Sequence, residues 1–226
     1  MPFDSQAARD EMVRSFGAEI RDERVLDAFS RVPRERFVPP QLERHAYEDR
    51  ALPISGGQTI SQPLMVAIMT QALRLTGNEK VLEIGTGSAY QAAILSLLAR
   101  EVISVERLPE LVETARNKLL ALGYHNVRVE QAGEALGWPQ DAPYDAIIVT
   151  AGAPDVPRSL VDQLAPGGRM VVPVGGRRLQ QLVRVTKADH GVTMERLCEC
   201  RFVPLIAADE GWPDYELAQN GAQPAA

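Results

Sequence analysis

From residue 80 onward, short apolar runs alternate with helix-length amphipathic stretches, and few architectures accept that rhythm. The runs are Val81-Leu82-Glu83-Ile84, Val102-Ile103-Ser104-Val105, Val127-Arg128-Val129, Ala146-Ile147-Ile148-Val149 and Arg169-Met170-Val171-Val172, while residues 91–99 and 109–122 read as helices. Parallel strands cannot be joined by tight turns, so such a chain folds as a parallel sheet wrapped by helices. Segments 179–186 and 192–203 leave no room for a helix between them, which predicts an antiparallel pair at or near a sheet edge. The expected class is α/β: doubly wound, mostly parallel and seven-stranded.

Helices are expected ahead of this sheet. Val25, Leu26 and Phe29 recur at helical spacing behind Asp22, a good N-cap, until Pro33, Pro39 and Pro40 break the pattern. Residues 47–62 are turn-rich and carry Ser55-Gly56-Gly57-Gln58-Thr59-Ile60-Ser61-Gln62, a polar loop suited to be a working surface. Pro63 fits the first position of a helix whose apolar face is Leu64, Ala67, Ile68, Ala72 and Leu75.

A chain of 226 residues with 45% apolar and 24% charged residues can bury a full core and suits one domain. That domain is expected over 1–206, with helices and the polar loop in 1–62, the α/β core in 63–206 and a partly flexible extension over 207–226. A net charge of -6 and only 5% aromatic residues argue against a nucleic-acid partner. No run approaches the roughly 18 apolar residues of a membrane span, and the first residues lack the features of a secretion signal. Two cysteines cannot make a disulfide framework. The expectation is a cytoplasmic protein, monomeric, without a membrane partner.

The sharpest chemical signal is Val81-Leu82-Glu83-Ile84-Gly85-Thr86-Gly87-Ser88-Ala89-Tyr90, a strand entering Gly-x-Gly and then a helix. Glycines admit a ligand close to the backbone, and the helix start offers unpaired N–H groups. A dinucleotide site would need glycine where Tyr90 stands, and a triphosphate loop would need Gly-Lys-Ser/Thr. Glu106 ends the next strand, where a carboxylate can accept hydrogen bonds from ribose hydroxyls. A ribose-bearing ligand without a pyrophosphate satisfies these features; the plainer alternative is a tight turn with Glu106 facing solvent. Glu83 would orient the loop through backbone N–H groups or cap the strand end.

These residues resemble the S-adenosylmethionine loop of class I methyltransferases, and specifically that of the protein-L-isoaspartate O-methyltransferase family. Further segments are similar to that family: Val32-Pro33-Arg34-Glu35-Arg36-Phe37-Val38, Ala51-Leu52-Pro53-Ile54, Gln58-Thr59-Ile60-Ser61-Gln62-Pro63, Ala142-Pro143-Tyr144-Asp145 running to Ala151, Pro173-Val174-Gly175 and Arg201-Phe202-Val203-Pro204-Leu205. The resemblance spans about residues 20–205. It implies a Rossmann-like methyltransferase sheet that passes a methyl group from S-adenosylmethionine, leaving S-adenosylhomocysteine, to the free α-carboxyl of isoaspartyl residues in aged peptides and proteins. The ester then collapses to a succinimide whose hydrolysis partly restores aspartate.

The resemblance assigns Ser61 as the side chain nearest the acceptor, with Gln58, Thr59, Ile60, Val203 and Pro204 beside the substrate. It assigns Glu83, Gly85, Thr86, Gly87, Ser88, Glu106, Arg107, Gly133 and Glu134 to the cofactor. Capping the helix begun by Pro63 is the alternative for Ser61. Two departures stand out. Ala132-Gly133-Glu134 replaces the family's Gly-Asp-Gly, removing the aspartate expected at the adenine amino group, and Ala89 replaces a third loop glycine. Other readings are therefore a non-catalytic relative serving as a binding module, or a methyltransferase for another acceptor.

His45, His125 and His190 lack ligand-like spacing, and no metal is expected. Cys198 and Cys200 share a strand face and read as packing residues. Arg177-Arg178 reads as a solvated turn, with contact to an acidic substrate as the alternative.

Overall fold

The computed structural model describes residues 3–214. The expected fraying of residues 220–226 lies outside them. Two helices open the described chain. Helix α1 (Ser5–Ser15) is capped by Asp4, which accepts from the Ala7 N–H at 3.0 Å, and α2 (Glu23–Arg31) by Asp22, which accepts from the Arg24 N–H at 3.0 Å. An N-cap carboxylate satisfies donors the helix itself cannot reach. Two short 3-10 turns follow, Arg34–Phe37 and Pro40–His45.

The expected polar loop folds into a hairpin of β1 (Leu52–Pro53) and β2 (Thr59–Ile60), with Leu52 opposite Ile60 and Pro53 opposite Thr59. The buried side chains of Leu52 and Ile60 anchor it, which the surrounding polar residues concealed at the sequence level. Helix α3 (Pro63–Ala72) begins at Pro63 as expected, but it buries Val66, Ala67, Met69 and Thr70, while Leu64 and Ile68 are half-buried. The helix is apolar nearly all round, so its sequence did not mark the inward face.

The main sheet contains β3 (Lys80–Ile84), β4 (Glu101–Glu106), β5 (Val127–Gln131), β6 (Tyr144–Val149), β7 (Leu164–Gly175), β8 (Gln180–Ala188) and β9 (Gly191–Cys200). Their spatial order is β5-β4-β3-β6-β7-β8-β9. The first five are mutually parallel; β8 runs antiparallel to both β7 and β9, and β9 is the edge. This is the expected doubly wound α/β sheet of seven strands with an antiparallel pair at its edge. Helices α4 (Tyr90–Ser96), α5 (Pro109–Ala121) and α6 (Arg158–Asp162) link its strands.

Alternate residues of each strand feed two cores, as the period-two geometry requires. Val81, Val102 and Ile148 join the core formed with the residues of α1 to α5. Leu82, Ile103 and Ile147 join the other, which is closed by Leu160 of α6, Trp138 and Leu205. One face thus carries most of the helices, and the other is covered by α6 and loops. Crossovers leave β3 and β6 toward opposite sides, so a crevice opens beyond the carboxyl ends of these neighbours, the usual ligand position in such sheets.

Candidate functional site

A cavity of about 650 Å³ fills that crevice, well sized for a nucleoside-like ligand. Its floor is the turn between β3 and α4. Gly85 has φ +95°, and a Cβ there would lie 2.5 Å from Thr150 Oγ1, so no side chain fits. Thr150 supports the same turn by donating to the carbonyls of Ile84 and Gly85. Gly87, at φ +52°, faces the cavity, and a Cβ there would touch nothing closer than Ile54 at 3.8 Å. Its missing side chain leaves space that a ligand can use.

Glu106 organises the turn from the next strand. Its Oε2 accepts from the Gly87 N–H at 2.9 Å, and Oε1 accepts from the N–H groups of Arg107 and Leu108 at 2.8 and 3.0 Å. Three of its roughly four acceptor sites are occupied, and one remains on Oε2 for a ligand hydroxyl. The carboxylate is 7% exposed, so it does not face bulk water. The fit to a ribose-bearing group is therefore specific: a pinned carboxylate with residual acceptor capacity, above glycines that leave room.

Glu83 does not line this cavity. It is fully buried, and its Oε2 accepts from the Ser104 hydroxyl, which is bonded in turn to the Thr86 hydroxyl. It steadies the turn through these two hydroxyls, which corrects the expectation of direct bonds to backbone N–H groups or a strand-end cap. Burial pushes its carboxyl up to about 8, and Oε1 has no hydrogen-bond partner, so at neutral pH the acid is mostly protonated.

The other expected residues converge. Gln58, Thr59, Ile60, Ser61, Thr86, Ser88, Arg107, Gly133, Glu134, Val203 and Pro204 line the cavity together with Gly85, Gly87 and Glu106. Ser61 is not a helix cap: Gln62 holds that position without a side-chain bond, and Asp49 takes over the task by accepting from the Leu64 N–H at 3.0 Å. Asp49 also receives the Gln62 side-chain amide at 2.8 Å. The Ser61 hydroxyl is thereby released from a structural role.

Both departures have visible consequences. Gly133 meets open space: nothing lies within 4 Å of the point a Cβ would occupy, and its φ is not positive, so its missing carboxylate leaves an unfilled place on the wall. Glu134 is exposed on the same wall. Ala89 stands at φ +72° and ψ +9°, fully buried. An L-residue there costs about 1 kcal/mol, the strain a glycine would avoid.

Sequence reasoning missed the last wall. Residues 206–208 and 213–214 pass across the cavity, and Asp214 pairs with Arg107 at 2.7 Å. Trp212 anchors this strap: its ring nitrogen donates to the Gly152 carbonyl at 3.1 Å, and the Arg177 guanidinium stacks 4.8 Å from its ring centre. Arg177 is thus not part of a solvated turn, and a cation can settle on an indole face in this way. Among the described residues, no group of three or more His, Cys, Asp or Glu could hold a metal ion, and no helix is long and apolar enough to cross a membrane. Cys198 and Cys200 are both unpaired, with burial pushing both thiols up.

Comparison with known proteins gives a consistent result. The family model for protein-L-isoaspartate(D-aspartate) O-methyltransferase matches residues 9–210. A Pelobacter propionicus protein-L-isoaspartate O-methyltransferase 2 is 56% identical over 198 residues, covering 87% of this chain and 88% of that protein. A solved protein-L-isoaspartate O-methyltransferase superposes with a TM-score of 0.76 at 31% identity, over 86% of this chain and 65% of that longer chain. A Plasmodium falciparum beta-aspartate methyltransferase, solved with S-adenosyl-L-homocysteine, shares the fold with a TM-score of 0.74 at 23% identity, over 88% and 97% of the two chains.

Proposed function

Because the chain belongs to the protein-L-isoaspartate(D-aspartate) O-methyltransferase family, we propose that its cavity is the methyl-transfer site, with the glycine turn on the donor side and residues 58–61 on the acceptor side. The protein is an S-adenosylmethionine-dependent enzyme that methylates the free α-carboxyl of L-isoaspartyl residues in damaged proteins. The observation that carries the site assignment is the Glu106 carboxylate, locked by three backbone N–H groups beside the open face of Gly87.

S-adenosylmethionine supplies, when bound, a methyl group on a positively charged sulfur. Glu106 holds the sugar through its remaining acceptor site, and Gly85 and Gly87 let the donor lie against the backbone. Arg107, Gly133 and Glu134 line the remaining donor side, and Thr86 and Ser88 shape the turn. On the other side, the Ser61 hydroxyl donates to the acceptor carboxylate while Gln58, Thr59 and Ile60 flank it and Val203 and Pro204 close over the peptide.

An α-carboxyl ordinarily titrates at about 3.5, so it is already ionised at neutral pH and needs no general base. This is consistent with a cavity lining that includes no histidine among the described residues. The residues contribute by orienting the two reacting groups and excluding water, since opposite charges are consumed together as the methyl moves. A single chain provides every wall described, which supports a monomeric enzyme, and two unpaired thiols suit a reducing cytoplasm.

The test is radiolabelled methyl transfer to an isoaspartyl peptide and to its normal aspartyl twin. Label should enter the isoaspartyl peptide alone. Equal labelling of the two would overturn the acceptor assignment.

A further inference from the structure

Arg34 lies in the segment Val32-Pro33-Arg34-Glu35-Arg36-Phe37-Val38, to which the site described above gives no task. Its side chain is fully buried, 0% exposed, a costly position for a cation. It makes no ion pair among the described residues, the Asp49 carboxylate acting on it only from beyond ion-pair distance, and Nη1 has no hydrogen-bond partner. Its two bonds go to backbone carbonyls. Nε donates to Ala46 at 2.6 Å, and Nη2 donates to Ser61 at 2.8 Å.

The guanidinium also lies 4.8 Å from the centre of the Tyr90 ring, whose edge-on neighbour is Phe37 at 5.6 Å. Tyr90 begins α4, directly after the glycine turn, and both Tyr90 and Ser61 line the cavity. Arg34 therefore bridges the two sides: it stacks on the first residue after the donor turn and bonds to the backbone of the acceptor segment. Burial lowers its pKa to about 10, so the charge persists at neutral pH.

We infer that Arg34 is a positioning residue for methyl transfer, which holds the Ser61 backbone at a fixed distance from the donor turn. The inference rests on the reading of this cavity as the methyl-transfer site. The fork geometry matters, because one planar guanidinium reaches two carbonyls and an aromatic face at once, and a lysine ammonium cannot.

The experiment compares the full-length protein with Arg34→Met and Arg34→Lys. Methylation of the isoaspartyl peptide by the unaltered protein comes first, and its absence would defeat the functional reading independently of Arg34. In Arg34→Met, KM for the isoaspartyl peptide should rise about tenfold or more, while the Kd for S-adenosylhomocysteine, measured by calorimetry, stays within about threefold. Arg34→Lys keeps the charge and should recover part of the loss. A folded Arg34→Met with an unchanged peptide KM would overturn the inference, as would a peptide KM and a Kd that rise by the same factor. If Arg34→Met does not fold, an ester in place of the Ser61-Gln62 amide weakens the Ser61 carbonyl as an acceptor with Arg34 intact. A peptide KM raised about threefold supports the inference, and an unchanged KM overturns it.

Discussion

On the donor side of the cavity, the turn after β3 is held by the sheet itself. The Gly85 N–H donates to the Val105 carbonyl at 2.8 Å, the Thr150 N–H donates to the Ile84 carbonyl at 2.9 Å, and Glu106 pins Gly87. On the acceptor side, the hairpin has only two paired positions, and beyond its buried Leu52 and Ile60 the segment that follows is tethered by single side chains: Arg34 on the Ser61 carbonyl, and Asp49 on Leu64 and Gln62. The first wall cannot shift without disturbing parallel strand pairing, whereas the second is as adjustable as the few side chains that tether it. Changes on the donor wall should therefore register in cofactor affinity, and changes on the acceptor wall in turnover and peptide affinity.

The strongest challenge to that division is Gly87→Val, which puts a branched side chain at φ +52° and into the space facing the ligand. It should abolish detectable S-adenosylhomocysteine binding in calorimetry while circular dichroism shows the fold retained; normal affinity would remove the turn from the site. Ser61→Ala on the facing wall should lower kcat about tenfold or more, the worth of a hydrogen bond to a charged group, and leave the cofactor Kd unchanged. Equal damage to both quantities would mean that the walls are not separable.

Gly133→Asp sharpens the comparison in the gaining direction. The site is open and the backbone conformation suits any residue, so the variant should bind S-adenosylhomocysteine about threefold to twelvefold more tightly by calorimetry. Weaker binding would show that this wall does not face the adenine. Smallest in effect is Ala89→Gly. Relief of the positive φ, partly offset by glycine's flexibility when unfolded, should raise unfolding stability by about 1 kcal/mol or less in a urea titration. A loss of stability would show that the alanine methyl packs better than its backbone strain costs.

The same division governs what the sequence discloses. The strand runs, the glycine turn and Glu106 are local or nearly periodic signals, and they fell where the alternating pattern required. The central parallel strands β3, β4 and β6 are buried on both faces, so they read as nearly continuous apolar runs, whereas the edge strand β5 keeps Arg128 and Gln131 exposed. Asp49 as the cap of α3 was not legible, because it lies 15 residues from Leu64 and only the hairpin brings it near. Arg34 carried no sign of burial, since arginine is usually a surface residue. Glu83 looked like a ligand because it precedes the glycines, but strand alternation and its fully buried setting place it beneath the turn. Trp212 was the one available hint of the last wall: a large aromatic near the end of a polar stretch generally has something to lie against.

Glu210 accepts from the N–H groups of Arg158 and Ser159 at 2.8 and 3.0 Å, Trp212 reaches Gly152, and Asp214 reaches Arg107. This order matters during synthesis on the ribosome, where a chain emerges from its amino end and its earlier parts begin to fold first. The glycine turn and the five parallel strands, which end at Gly175, are complete well before residue 214 is released. A nascent chain thus carries a floor with no roof, and the start of α6 waits for the acceptor that Glu210 brings. Competence for the reaction therefore waits on residues 206–214, which follow every strand of the sheet in the chain.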